Sequence, residues 1–370
     1  IITGLSTGGA EMMLYKLLSQ MNGDEFNSEV ISLTDAGPVA DKIRMLGIPI
    51  YALGMKRGKP NPGALIKLST LLRKKNPDLV QTWLYHSDLI GGLAAKLAGN
   101  IRTFWSIRQS NIDVDSNKKS TIWTAKACAK LSLWLPEKII CCSHAALESH
   151  VALGYKKEKM LVVPNGFDLD VFKPDHDAPK SVRKEMDLDE KTYLVGLVAR
   201  FDPQKDHHNF IQAAGLIRKN DRSVHFLLCG DGITKENQQL MQWIKQVEVE
   251  DCIHLLGIRK DIPQLVAAMD VAVSSSLGEG FPNVIGEAMA CAVPCVVTDV
   301  GDSALLVGET GQVVAAKNPA ALAAAVIELL QASPKYRYAL GKQARQRVKN
   351  NYSLDSVAKE FEAVYRGASG

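Results

Sequence analysis

Short apolar runs alternate with stretches of helical periodicity along nearly the whole chain. In the first half "SEVISL", "PIYAL", "DLVQTW", "IRTFWSIR", "KIICCS" and "KMLVVPNG" read as strands. Between them "AEMMLYKLLSQM", "PGALIKLSTLLRKK" and "HSDLIGGLAAKLAG" read as amphipathic helices. In the second half "YLVGLVAR", "VHFLLCGDG", "CIHLLG", "DVAVSSS", "PCVVTD" and "TGQVV" repeat the arrangement. Strands apolar on both faces and separated by helices predict parallel sheets covered on both sides. Two such series in succession predict two doubly wound, Rossmann-like α/β domains facing each other across a cleft, over residues 1–165 and 166–351. The Pro- and Asp-rich stretch "VVPNGFDLDVFKPDHDAPKS", residues 162–181, has neither period and reads as the linker. A last amphipathic helix within 352–370 has no strand after it and is expected to pack back on the first domain.

Composition agrees with that picture. A chain of 370 residues, 46% hydrophobic and 23% charged, suits two soluble globular cores. No apolar run approaches the roughly 20 residues that span a bilayer. No signal peptide is visible, and the sequence opens at "IITGLSTGGAE" without an initiator Met, which leaves open what precedes Ile1. Seven cysteines, none in paired C-x-x-C spacing, indicate neither a disulfide framework nor a zinc site, and a reducing cytoplasm is expected. Charge changes the picture more. Residues 1–165 carry 21 Lys and Arg against 13 Asp and Glu, and residues 166–370 carry 23 against 27. A basic half beside an acidic one points to an anionic partner: nucleic acid, phospholipid headgroups or a phosphorylated acceptor.

The candidate chemistry sits at strand exits. "EGFPNVIGEAMA" places Glu279 at the mouth of a tight loop and Glu287 inside the following helix, where N–H groups and the dipole favour an anion. "TGLSTGGAEMML" is a glycine turn into a helix. It lacks the dinucleotide fingerprint, because position 6 is Ser, and it is no phosphate loop ending in Gly-Lys-Ser/Thr. Gly8 and Gly9 would let a ligand approach the backbone, or simply make a tight turn. "ARFDPQKDHHNF" sets Arg200 and Lys205 at one strand exit, a fork and a point charge suited to a diphosphate. "CGDGI" and "LGIRKDIP", the latter with Arg259, add two more polar strand exits. "TWLYHSDLIGG" puts His86 at a helix start, facing the cleft or packed as a structural histidine, and "WSIRQSN" puts Arg108 at another strand end.

Taken together, "GLSTGGAE", "ARFDPQK", "LGEGFPNVIGEAMACAVPCVVTDVGD" and "VVPNGFDLDVF" resemble the retaining glycosyltransferases of family four, which have the GT-B fold. The resemblance runs nearly the full length. It implies that Glu287 binds the donor ribose and Glu279 the sugar face. Amides around Gly280, Phe281 and Pro282 would hold sugar hydroxyls, and those near Asn283 and Val284 the phosphates. Arg200 and Lys205 match the family's diphosphate cations, with Arg259 as a further donor contact. Gly8 and Gly9 match its loop over the donor, and His86 its histidine near the transferred sugar. Arg108 stands where many members carry another histidine, so it is an acceptor-side candidate with His86.

The resemblance implies retaining transfer from a nucleotide-diphosphate sugar, by default a UDP-sugar, to a hydroxyl acceptor that is lipid-linked or an oligosaccharide. No cofactor is implied beyond the donor, no Asp-x-Asp metal motif stands at a strand exit, and no nucleic-acid partner is expected. A sugar-nucleotide epimerase or another enzyme of the same fold is the alternative. A periplasmic sugar-binding protein is the non-enzymatic one. Finally, "NKKSTIWTAKACAKLSLWLPEK", residues 117–138, read as one helix, aligns Lys119, Lys126 and Lys130 within about 40°, with Trp123 and Trp134 beside them. Either this face lies on an anionic membrane as a peripheral contact, or the tryptophans pack on the sheet and the lysines are merely solvated.

Overall fold

The computed structural model describes residues 1–56, 62–110 and 118–367. Contacts divide the chain into two units, Ile1–Gly166 with Leu354–Gly370, and Phe167–Ser353.

The first unit runs α1 (Gly9–Gln20), β1 (Val30–Ser32), α2 (Gly37–Met45), β2 (Ile50–Ala52), α3 (Pro62–Lys75), β3 (Leu79–Gln81), α4 (Tyr85–Gly99), β4 (Arg102–Ile107), α5 (Lys119–Leu131), β5 (Lys138–Cys141), α6 (His144–Ala152) and β6 (Met160–Val162). β1 and β2 pair in parallel, as do β3 to β6 in order. Ile2 joins the two pieces through parallel bridges to Ser32 and Trp83. Strand order therefore reverses on either side of Ile2. The segments leaving Ile2 and β3 emerge side by side, with Thr3 Oγ1 3.0 Å from Ser87 Oγ in the first turn of α4. In an open α/β sheet such a reversal opens a crevice at the carboxyl ends of the strands.

The second unit runs α7 (Ala178–Glu185), β7 (Tyr193–Val198), α8 (His207–Asn220), β8 (Val224–Cys229), α9 (Gln238–Gln246), β9 (Ile253–Leu255), α10 (Ile262–Ala267), β10 (Val271–Ser274), α11 (Asn283–Ala290), β11 (Cys295–Thr298), α12 (Ser303–Val307), β12 (Gly311–Val314), α13 (Pro319–Gln331) and α14 (Pro334–Asn351). Its six strands are parallel in the order β12-β11-β10-β7-β8-β9, so the reversal falls between β7 and β10. Both faces are apolar and covered. Leu194, Leu227, Ala272 and Val297 lie in one core cluster, Val195, Phe226, Val273 and Val296 in the other.

The last helix, α15 (Leu354–Arg366), belongs to the first unit. It buries Val357, Ala358, Phe361, Val364 and Tyr365, the spacing of one helical face. Phe361 stacks on Trp83 with centroids 6.1 Å apart, and Tyr365 meets Phe104 edge-on at 5.5 Å.

Two sequence expectations are corrected here. The stretch 162–181 is not a free linker. Phe167 and Phe172 are buried in the second unit's core, and α7 begins within it at Ala178. Isolated aromatics in an otherwise polar stretch carry no period, so the pattern hid them. The expected helix over 117–138 ends at Leu131, and its first residue, Asn117, lies outside the described residues, as do 368–370 of the last helix. Ser132 Oγ donates to the Ala129 carbonyl at 2.7 Å, and Pro136 cannot continue a helix. Trp134 thus stands in a turn, off the helical face. Trp123 and Trp134 are 77% and 67% exposed, so neither packs on the sheet.

Candidate active site

The loops leaving β7 and β10 meet at the reversal point of the second unit and are stitched together. The Leu277 N–H donates to the Gln204 carbonyl at 2.7 Å. Ser275 Oγ reaches the carbonyls of Lys205 and Asp206 at 2.9 and 3.0 Å. Before them, Pro203–Lys205 forms a 3₁₀ turn, capped by Asp202 Oδ1, which accepts the Gln204 N–H at 2.9 Å. This turn aims Lys205 across the crevice, where Nζ lies 2.5 Å from Glu279 Oε1. Ser276 Oγ donates to the same oxygen at 2.7 Å. The Glu279 side chain is only 11% exposed, so its charge needs both partners. Gly301, at φ +55°, passes so close to the Glu279 carbonyl that a Cβ would collide with it.

α11 starts just beyond, with Pro282 as its N-cap residue. Proline has no N–H, so of the expected amide donors Pro282 offers none; Gly280, Phe281, Asn283 and Val284 can donate. The first-turn N–H groups of a helix have no acceptor within it and carry the positive dipole end. Glu287 lies on the same helix, partly buried. Its neighbour Gly286 lets Phe167 lie against the helix, where a Cβ would strike the ring. A pocket of about 180 Å³ is lined by Lys205, Ser274, Ser276, Glu279, Phe281 and Asn283, with Pro282 and Val284 also at its wall. Sites that enclose a whole ligand run from about 300 Å³ upward, so this one seats part of a larger molecule. Glu287, Arg200 and Arg259 lie outside its lining. A larger hollow, about 310 Å³, touches Tyr193 and Val224 where β7 and β8 begin. That is the edge opposite the strand exits, and we assign it no role in the chemistry.

The other expected cations of this unit are also matched by acids. Arg200, 65% exposed, pairs with Asp202 at 3.0 Å. Arg259 Nε donates to Asp261 Oδ1 at 2.8 Å, and its terminal nitrogens pair with Asp261 and Glu185. Arg259 would meet a ligand with its charge already shared between two acids.

At the reversal point of the first unit, Gly8 is the N-cap residue of α1 and Gly9 its first residue. The Glu11 carboxylate folds back over Gly8, accepting from Ser6 Oγ at 3.2 Å. His86 stands at the start of α4, partly buried, with Nε2 3.5 Å from Thr124 Oγ1. Burial lowers its pKa and favours the neutral ring. Asp88, fully buried, accepts from Thr82 Oγ1 at 2.5 Å, and burial pushes its carboxyl up to about 8. Arg108, just past β4, has its guanidinium 4.9 Å from the Trp83 ring centroid and donates through Nη2 to Asn165 Oδ1. Among the described residues no group of three or more His, Cys, Asp or Glu could hold a metal ion.

Sequence reasoning missed Ser275 and Ser276, which "DVAVSSS" presented only as the end of a strand. Hydroxyls at a strand exit were the available signal. It also missed Asn165 and Trp83, which touch Arg108 through tertiary contacts without sequence spacing.

The chain is similar to known proteins over most of its length. Residues 7–171 match the family Glycosyltransferase Family 4, and residues 192–332 match Glycosyl transferases group 1. The chain is 27% identical over 312 residues to the Escherichia coli UDP-Gal:alpha-D-GlcNAc-diphosphoundecaprenol alpha-1,3-galactosyltransferase, covering 81% of this chain and 78% of that one. It is 25% identical over 306 residues to the Campylobacter jejuni N,N'-diacetylbacillosaminyl-diphospho-undecaprenol alpha-1,3-N-acetylgalactosaminyltransferase, covering 80% and 79%. The crystal structure of Anabaena HepE in complex with UDP and glucose superposes with a TM-score of 0.84 at 20% identity, covering 99% of both chains. With two parallel-sheet Rossmann-like units, a family-four first half and a group 1 second half, the chain belongs to the family-four glycosyltransferases of GT-B fold.

Proposed function

We propose that this glycosyltransferase moves a sugar from a UDP-sugar to a hydroxyl of a lipid-linked acceptor, with retention and without a metal ion. The observation that carries the reading is the Lys205–Glu279 pair at the start of α11. A departing diphosphate gains negative charge as the sugar–oxygen bond breaks, and Lys205, Arg200 and the first-turn amides of α11 lie on elements able to stabilise it. An anion arriving at Lys205 replaces Glu279 as its partner, and that carboxylate is then available to a sugar hydroxyl. Glu287, an acceptor-only group, suits the ribose hydroxyls. The acceptor hydroxyl attacks the anomeric carbon on the face the diphosphate leaves, and its proton passes to the departing phosphate oxygen. The E. coli and C. jejuni relatives, both named for diphosphoundecaprenol-linked acceptors, support the acceptor class. HepE, crystallised with UDP, supports the nucleotide.

The test is transfer from a panel of UDP-, GDP- and ADP-sugars to a polyprenyl-diphosphate sugar in the presence of chelator, with the product anomer read by NMR. Transfer from the UDP-sugar with an unchanged anomer is expected. Loss of activity with chelator contradicts the metal-free account, and a modified sugar nucleotide released without acceptor identifies an epimerase.

A lipid-linked acceptor places the work at a cytoplasmic membrane face. Trp123, Leu133 and Trp134 are exposed, and Lys119, Lys126 and Lys130 are exposed around them. Tryptophan with lysine suits the headgroup layer of an anionic bilayer. No helix among the described residues is long and apolar enough to cross a membrane. Co-sedimentation with anionic liposomes, lost when Trp123 and Trp134 become Ala, is expected; binding that survives this change, or none at low salt, contradicts the docking.

A further inference from the structure

Among the described residues no carboxylate meets Arg108 in the first unit. Arg108 follows β4 and is partly buried. One face of its guanidinium lies over the Trp83 ring, and Nη2 donates to Asn165. Nη1 is shut off from solvent and has no acceptor among the described residues. The titratable groups that act on it are the Cys141 and Cys142 thiols and the Tyr365 phenol, with no carboxylate among them, and burial lowers its pKa. Asp88, the fully buried acid of the unit's switch point, is bound to Thr82 and held largely protonated at neutral pH. A buried charge without a counter-ion is costly, and the fold keeps this one with a cation–π face and a neutral amide as its partial compensation. What the guanidinium lacks among the described residues is an anion.

We propose that Arg108 receives the phosphoryl oxygens of the acceptor's diphosphate and so selects a diphosphate-linked acceptor over a neutral glycoside. This rests on the lipid-linked reading above. Trp83 fixes the plane of the guanidinium, and Asn165, as a neutral acceptor, orients it without cancelling its charge. Asn165→Asp is therefore the sharp variant, because it gives Arg108 a carboxylate without removing any side-chain volume.

The experiment titrates inorganic pyrophosphate calorimetrically into protein saturated with UDP, so that the donor's diphosphate seat is occupied. Wild type should bind pyrophosphate. Arg108→Gln and Asn165→Asp should each bind at least tenfold more weakly, and Arg108→Lys should fall between. Asn165→Asp should melt no lower than wild type, so that its weaker binding of pyrophosphate is not a loss of fold. In transfer assays pyrophosphate should compete with a polyprenyl-diphosphate sugar and not with the UDP-sugar. No binding by wild type, or equal binding by the variants, overturns the seat. Competition against the UDP-sugar assigns the phosphoryl group to the donor and overturns the proposal. A seat that responds to the variants in an enzyme using an alkyl glycoside as readily as a diphosphate-linked sugar overturns the acceptor assignment alone.

Discussion

In the second unit three cations at the carboxyl edge of the sheet each meet an acid: Lys205 meets Glu279, Arg200 meets Asp202, and Arg259 meets Asp261 and Glu185. In the first unit the corresponding edge holds His86, kept neutral by burial, and Arg108, which meets an aromatic face and an amide. Both edges are built the same way, by a reversal of parallel strand order. The difference lies in how charge is settled. On the proposed reading, where each cation has an acid an anionic ligand would enter by exchange, and the displaced carboxylate would become an acceptor for ligand hydroxyls. Where the cation meets no acid among the described residues, the ligand itself would supply the missing charge. The first arrangement suits a molecule with both phosphates and hydroxyls, the second a phosphate alone.

The largest expected effect comes from breaking the exchange pair. Lys205→Ala should lower turnover by about 10²–10³, the range for removing one transition-state electrostatic group, with a smaller loss of UDP affinity. Steady-state rates against a calorimetric UDP titration check this, and equal losses in both would place Lys205 in ground-state binding only. Next is acid stability, which probes both units at once. His150, fully buried in the first unit, bonds the Tyr85 hydroxyl at 2.6 Å; His207, 2% exposed in the second, packs on Phe201. Burial pulls each down to about 4. Their folded pKa values are below the unfolded value near 6.5, so the cost is absent above that pH. It grows as pH falls toward 4, where the unfolded chain alone is protonated, to roughly 3 kcal/mol for each. Asp88, protonated in the fold up to about 8 and ionised from about 3.9 upward in the unfolded chain, works in the opposite direction. Melting temperature should therefore peak near pH 6.5, falling below it because two histidines outweigh one carboxyl, and above it until about pH 8. A melting temperature that keeps rising as pH falls to 4.5 would remove both histidines from the account. Smaller still, Gly286→Ala should cost about 1–3 kcal/mol through overpacking against Phe167, read by denaturant unfolding.

Most of the fold was legible because its strands are buried on both faces and its helices carry one apolar stripe. The runs "YLVGLVAR" and "DVAVSSS" contain β7 and β10, with the last residues of each passing into the exit loop. Failures came where tertiary contact decides. Phe167 and Phe172 looked like linker residues because a single aromatic acquires meaning only from the surface it meets. Trp134 was placed on a helix because the wheel was continued through Ser132 toward Pro136. For the candidate site, strand exits and the two glutamates marked loops that the fold brings together where β7 and β10 meet. Which acid meets Lys205, and that Arg108 meets none, depends on side chains brought together from distant segments, which spacing cannot express.

The central claim is that α11 and the loop before it divide the labour, Glu287 on the helix holding the nucleotide and Glu279 in the loop the transferred sugar. Titrating UDP into wild type, Glu287→Ala and Glu279→Gln in the presence of chelator tests this most directly. Loss of a charged acceptor is worth about 1.5–3 kcal/mol, so Glu287→Ala should bind UDP at least tenfold more weakly. Glu279→Gln should bind it as tightly as wild type or more tightly, because Lys205 no longer has to leave a carboxylate. The reverse order, or equal weakening in both variants, would contradict the account.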